Sequence, residues 1–373
     1  MSEDGRDGMK KIEYFDENFK TGKSPEKAGI KYYNVLEKPF CIYGISMENG
    51  KFRRLPEKVA VRISEGVAAL HANTAGGRVR FCTNSAYIAI SAKMDFITRT
   101  PIFSLLGSAG FDLYSREGNR EKYEGSFVPP MDMTEGYESF IELEGSKSRE
   151  FTIHFPLYSA VRELYIGLDE RARLSEARPY RYQMPIVYYG SSITQGGCAS
   201  RPGLTYQSIL SRRFNCDYLN LGFSGSARGE ERMADYIKTL NMSLFVYDYD
   251  HNAPSPADLQ RTHERMFQAV RSAKPQTPVI ILSRPRYILR SDEKERLAII
   301  ERTFQDAKAA GDKNVFLLTG RELMNACKEE GTVDSVHPND LGFRSMARAL
   351  GNVIKKNRLL EEASHEAGPD AGL

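Results

Sequence analysis

No tryptophan occurs in the chain of 373 residues, and cysteine is scarce. The missing indole weighs against a flat sugar-stacking platform, although 20 tyrosines are present to serve instead. Cys41, Cys82, Cys198, Cys216 and Cys327 are odd in number and scattered, with no Cys-x-x-Cys pair. That spacing gives neither a disulfide framework nor a zinc site, and no metal is expected. Net charge is also small: 52 basic against 49 acidic side chains leave +3. No overall field draws the protein to nucleic acid or to an anionic membrane. The sequence has no uninterrupted apolar run of membrane-spanning length. Its first residues, MSEDGRDGMKK, lack the apolar stretch of a signal peptide. A cytoplasmic protein is the expectation.

What is present divides into two halves near Pro179. The first consists of short apolar or alternating runs: FCIYGISM, KVAVRIS, GVAALHA, RVRFCT, YIAISAKM, FIELE, FTIHF and LYIGL. They are separated by turn signals such as ENG, AGG and EGN. Evenly spaced short strands predict an all-β sandwich of jelly-roll type, with no long helix in this half. RVRFCT and FTIHF alternate as half-buried strands do.

After the linker RARLSEARPYRYQMP, short continuous apolar runs alternate with helical periods. PIVYYG reads as a strand covered on both faces. Further strands are predicted at Tyr218–Leu221, Leu244–Tyr247, Val279–Leu282 and Val315–Leu318. Helices are predicted around Tyr206–Phe214 and Glu230–Leu240, through Leu259, His263, Met266, Phe267 and Val270, and from about Pro338 to Lys355. Five strands alternating with helices imply an α/β fold: a parallel five-stranded sheet between two helical layers, of flavodoxin-like form. The expected limits are a tail over 1–24, the β-rich domain over 25–175, the α/β domain over 176–360 and a flexible tail over 361–373.

Ligands of open parallel sheets bind beyond the carboxyl ends of the strands. The residues there form four polar blocks: YGSSITQGG (189–197), NLGFSG (220–225), DYDHNAP (248–254) and DSVHP (334–338). Together they can supply what acyl transfer needs. Ser192 is the candidate nucleophile, just past a strand and a glycine. His337 is the candidate base, and Asp334, three residues earlier, can orient its ring. Gly225 offers a backbone N–H to an oxyanion, Asn252 a side-chain amide and Ser192 its own N–H.

In these blocks the second half resembles the SGNH (GDSL-type) hydrolases, from about Pro185 to Ile354. The resemblance places the nucleophile at Ser192, oxyanion donors at Gly225 and Asn252, the base at His337 and its acid at Asp334. One departure is Ser191, which stands where the family usually carries aspartate. In the first half, Gly110-Phe111-Asp112-Leu113-Tyr114 is similar to the Gly-x-Asp-Leu-Tyr motif of a β-rich domain found ahead of one subgroup. The resemblance implies acyl-ester hydrolysis, often deacetylation of carbohydrates, with acyl transfer also occurring in the same architecture.

Other readings compete residue by residue. Ser224 and Ser226 are rival nucleophiles, better suited to shaping the loop of Gly225. Asp248 and Asp250 give weak support for a metal, since no third ligand follows at a telling spacing. His263 lies on an apolar helical face and reads as core, whereas His71 and His154 belong to no constellation. His251, Arg201 and Arg284 are candidate substrate contacts, with Arg286 facing the same question. For the arginines a salt bridge is the ordinary alternative. The expected function is hydrolysis of a small acyl ester, acetyl above all, on a sugar or polyol, with no cofactor. An acyltransferase and a glycan-binding protein are the alternatives. The expected partner is a small-molecule or oligosaccharide ester, with a second copy of the chain also open.

Overall fold

The computed structural model describes residues 12–16, 29–118 and 120–360. The expected C-terminal tail, 361–373, lies outside the described residues. So does most of the expected N-terminal one, of which Ile12–Phe15 forms one helical turn.

Two large antiparallel sheets form the first half, with a two-stranded one, Ser46–Glu48 paired with Lys51–Arg53, beside them. One has four strands in the spatial order Ile30–Asn34, Ser159–Asp169, Tyr87–Ile97, Gly136–Glu142. The other runs Leu174–Ser175, Arg78–Thr83, Arg149–His154, Phe111–Glu117, Arg120–Phe127, with Cys41–Tyr43 also paired to Arg78–Thr83. Alternate residues of both sheets meet in one core, among them Val79, Phe81, Phe111, Leu113, Phe151 and Ile153 against Ile88, Ile90, Leu164 and Ile166. This is the sandwich that the alternation implies.

Two segments of this half depart from expectation. KVAVRIS and GVAALHA, read as strands, are helices over Glu57–Ile63 and Glu65–Leu70. Pro56 and Glu57 open the first, and Ser64 caps the second by accepting the Val67 N–H. Their apolar residues do not join the sandwich. Ala60 and Val67 are buried in the core of the second half, with Val59, Ile63 and Leu70 packed on its edge. Tertiary burial has overridden a locally ambiguous pattern.

The second half is the three-layer α/β/α unit. Its strands are β1 (Tyr182–Gly190), β2 (Cys216–Gly222), β3 (Leu244–Asp248), β4 (Val279–Leu282) and β5 (Val315–Leu318), all parallel, in the order β2-β1-β3-β4-β5. Side chains alternate between two cores, as strands covered on both faces require. Val187, Tyr189, Phe245, Tyr247 and Ile281 face helices Glu231–Thr239, Pro256–Ala273 and Ser291–Ala309. Ile186, Tyr188, Val246, Ile280 and Leu282 face helices Tyr206–Phe214 and Asp340–Asn357. The direction of winding reverses at β1, so a crevice opens beside its carboxyl end. Among the described residues no helix is long and apolar enough to cross a membrane.

Candidate active site

Ser192 begins a one-turn helix, Ser192–Gln195, directly after β1. Ser191 caps it, its hydroxyl accepting the Ile193 N–H at 3.2 Å. The hydroxyl thus does the turn-shaping that a carboxylate could do at that place. The turn lies flat on the strand ends because Gly190 and Gly222 lack side chains. A Cβ on Gly190 would come within 2.2 Å of Thr194 Oγ1, and one on Gly222 within 2.1 Å of the Gln195 nitrogen. From below, Asn220 Nδ2 and Gln207 Nε2 both donate to the Thr194 carbonyl, at 2.8 and 2.6 Å. Thr194 Oγ1 donates to buried Asp248 at 2.8 Å. Burial pushes the Asp248 carboxyl up to about 7, against the pull of the Thr194 hydrogen bond.

Asp334 and His337 reach this serine from the loop ahead of the last helix. Ser192 Oγ and His337 Nε2 are 2.9 Å apart, and His337 Nδ1 and Asp334 Oδ2 are 2.8 Å apart. With the proton on Nδ1, His337 donates to the carboxylate and accepts from the serine. Asp334 Oδ1 also accepts the N–H groups of Val336 and His337, at 3.0 and 2.7 Å. Partial burial alone would raise this carboxyl, but those N–H bonds and the imidazole hold it below its usual range. Ser335 closes the turn in the left-handed region, at φ 66°. Pro338 precedes the helix rather than starting it, and Asn339 is the cap.

The loop after β2 and the turn after β3 are tied to the same place. Phe223 N–H donates to the Gly190 carbonyl at 2.8 Å, and Ser224 N–H to Gln195 Oε1 at 3.1 Å. Gly225 has φ 67°, and a Cβ there would meet nothing within 4 Å, so its backbone borders open space. On the far side, Ala227 N–H donates to Asn252 Oδ1 at 3.4 Å. That contact fixes the amide so that Nδ2 is left to donate elsewhere. The N–H of Ser192, at the first helical position, has no carbonyl within its own helix.

Of the remaining candidates, Arg201 and Arg284 are not placed as substrate contacts. Arg201 donates to Asp112 Oδ2 and the Tyr114 hydroxyl at 2.8 and 2.7 Å. Arg284 is buried against Asp250 and Glu293. Both guanidinium groups are committed within the protein, the salt-bridge alternative weighed above. Asp248 and Asp250 are likewise occupied, by hydroxyls and by guanidinium groups. His263 is in the core on Thr303. His251 adjoins Asn252, and its Nε2 is buried without a partner. Burial, then the charge of Arg284, push its pKa down to about 3, so the ring is neutral.

The β-rich half supplies parts of the site that the strand-end blocks do not contain. Tyr158 donates its hydroxyl to the Ser192 carbonyl at 3.2 Å, and Gln195 donates to the Leu157 carbonyl at 3.2 Å. Arg54 is buried over the Phe223 ring and donates to the carbonyls of Leu70, Asn220 and Gly222. Burial pushes its pKa down to about 9. The Phe111–Tyr114 stretch explains its own motif by period two. Phe111 and Leu113 enter the sandwich core, while Asp112 and Tyr114 turn to the α/β unit. There Asp112 Oδ2 accepts the Gly203 N–H at 2.7 Å as well as Arg201. A strand in the first half thereby holds the loop that follows the nucleophile turn.

Two family models match the chain, one to each half. Residues 183–355 match the model of the GDSL-like lipase/acylhydrolase family. Residues 30–174 match GxDLY, the N-terminus of SGNH-hydrolase-type esterases. No curated protein matches the chain. Among solved structures, a GDSL-like lipase from Bacteroides ovatus is 26% identical with a TM-score of 0.80, over 90% of this chain and 100% of that one. A salicylyl-acyltransferase from a tetracycline biosynthetic pathway is 16% identical with a TM-score of 0.74, over 90% and 100%. A family two carbohydrate esterase from Cellvibrio japonicus is 12% identical with a TM-score of 0.58, over 89% and 99%. The two family matches adjoin and take in both halves, with a serine, a histidine and an aspartate hydrogen-bonded in line at the strand ends of the second. The chain belongs to the SGNH (GDSL-type) hydrolases with an N-terminal GxDLY domain, and it is a carboxylic ester hydrolase.

Proposed function

We propose that the protein hydrolyses a short acyl ester, acetyl above all, on a carbohydrate or other polyol, through an acyl-enzyme on Ser192. The observation that carries this reading is the hydrogen-bonded line from Asp334 through His337 to Ser192, set beside the Gly225 loop and the Asn252 amide. Ser192 Oγ attacks the ester carbonyl as His337 Nε2 takes its proton. Asp334 stabilises the imidazolium that forms. The oxyanion is held by the N–H groups of Ser192 and Gly225 and by Asn252 Nδ2, each donor contributing about a hundred- to a thousand-fold in rate. His337 then protonates the departing alcohol, and water, activated by the same imidazole, releases the acid. The reaction calls for no cofactor.

A short acyl group is supported by the confinement of Ser192. The residue is only 7% exposed, with the Tyr158 hydroxyl on its carbonyl and Gly197 against the His337 ring. The sugar or polyol is supported by the carbohydrate esterase among the structures that share the fold. Acetate release from acetylated oligosaccharides, read by mass spectrometry, tests the substrate. Fluorophosphonate labelling of Ser192 and loss of 4-nitrophenyl acetate hydrolysis in Ser192→Ala test the chemistry. A Ser192→Ala enzyme working at the wild-type rate would sink the assignment. Weighing the products with alcohols present distinguishes water from an alcohol as acceptor.

A further inference from the structure

Two loops of the site are anchored to one helix, Ser291–Ala309, through a chain of five ionic groups, four of them buried and Arg286 partly exposed. Arg296 NH1 donates to the Asp250 carbonyl at 3.2 Å, and its NH2 donates to the Ala253 carbonyl at 3.0 Å. The guanidinium therefore grips both ends of the turn that presents His251 and Asn252. That turn is also closed by the Ala253 N–H on the Asp250 carbonyl, at 3.2 Å. Three residues earlier on the helix, Glu293 Oε1 accepts Arg286 Nε at 2.9 Å, and Arg286 NH2 donates to the Ser335 carbonyl. Ser335 is the left-handed residue between Asp334 and His337. Arg284 joins the two arms, with NH1 on Glu293 at 3.2 Å and NH2 on Asp250 at 2.8 Å.

Asp250, Arg284, Glu293 and Arg296 are all buried, so their bonds are not screened as surface pairs are. Buried ion networks are poor sources of net stability, because desolvation offsets most of the attraction. What they provide is fixed direction: a planar guanidinium bridging two carbonyls leaves a turn little freedom. We propose that Arg296 and Arg286 are positioning residues, the first aiming the Asn252 amide and the second holding the Asp334–His337 turn. Neither touches the reacting atoms. The proposal rests on the esterase reading above.

Four double-mutant cycles test it, with kcat and KM for 4-nitrophenyl acetate and a thermal melt for each variant. Arg296→Met and Arg286→Met should each lower kcat about ten- to a hundred-fold, the scale of a small misplacement, and leave KM within about threefold. In an Asn252→Ala background the Arg296→Met loss should vanish while the Arg286→Met loss persists. In an Asp334→Ala background the pattern should reverse. Arg286 lies at the edge of the network and leaves Glu293 paired with Arg284, so its cycles stand even if Arg296→Met fails to fold. Losses that multiply independently in both backgrounds, or a lowered melting point with unchanged kcat, would overturn the proposal alone. Full activity in Ser192→Ala would overturn the esterase reading, and this one with it.

Discussion

Replacing Asp334 by asparagine should separate the acid's electrostatic role from its structural one. Asp334 Oδ1 accepts two backbone N–H groups, and an asparagine carbonyl can keep both. The turn should therefore survive, and the unfolding free energy should fall by no more than a net hydrogen bond's worth, about 1 kcal/mol. At the other oxygen the change is drastic. Oδ2 accepts from His337 Nδ1 at 2.8 Å, and an amide nitrogen there would donate instead. The imidazole must then carry its proton on Nε2 and point it at Ser192 Oγ, 2.9 Å away, so that the base can no longer accept. The wrong tautomer in such a triad lowers kcat about ten-thousand-fold, equivalent to roughly 5.5 kcal/mol of transition-state stabilisation. Stopped-flow and steady-state hydrolysis of 4-nitrophenyl acetate, with a melt of the same sample, would measure both. An Asp334→Asn enzyme retaining a tenth of wild-type kcat would refute the orienting role, whatever its stability.

Three further outcomes are expected. Asp112→Ala removes the acceptor of Arg201 and of the Gly203 N–H; denaturant unfolding should show a loss of about 3 kcal/mol, the low end for a broken buried pair because Arg201 keeps some access to water. Asp248→Asn should stabilise relative to wild type as pH rises from about 4 to about 7. Over that window the unfolded carboxyl ionises while the folded one stays protonated, so wild type loses stability with rising pH, by roughly 4 kcal/mol in all, and the loss levels off above the folded pKa of about 7. A difference in melting point that does not change across that range would count against it. Gly222→Ala drives a methyl into the Gln195 backbone and should cost about 1–3 kcal/mol, with loss of fluorophosphonate labelling at Ser192 as the nucleophile turn shifts.

The α/β unit was legible because its strands are continuous apolar runs with polar ends. Val279–Leu282 and Val315–Leu318 are bounded in the structure as the pattern bounds them. Ser192 stands out because it follows a strand almost directly, and Asp334 and His337 because they form a short Asp-x-x-His motif. That motif does not follow the last strand directly as expected, since two short helical turns, Gly320–Leu323 and Lys328–Gly331, intervene. Local motifs could not show what comes from far along the chain. Arg54, Leu157 and Tyr158 look ordinary in sequence, and their roles depend on the first half folding over the second. The helices at 57–70 are hidden from the local pattern for a related reason. Val59, Val61 and Ile63 alternate like a strand, yet Val61 is 60% exposed and Ala60 is buried, an arrangement decided by the surface they meet. Pro56 before Glu57, and Ser64 before the next apolar run, were the available cues. Arg284 and Arg201 were ambiguous because a strand-end arginine can serve a ligand or a carboxylate, and sequence does not show which carboxylate is near.

The strand of Phe111 to Tyr114, with one face in each half, bears on how this gene can be rearranged. Residues 176–181 mark a change of topology, but not a seam along which the protein comes apart. Ala60 and Val67 of the helices at 57–70 share one buried core with Leu221 and Phe223, so a fragment starting at Tyr182 would leave part of that core open to water. A cut in the linker should leave two pieces that copurify, and neither piece is a portable module for fusion to another enzyme. Shuffling either half among relatives would succeed only when Arg54, Asp112 and Tyr158 travel together with the loops that they hold.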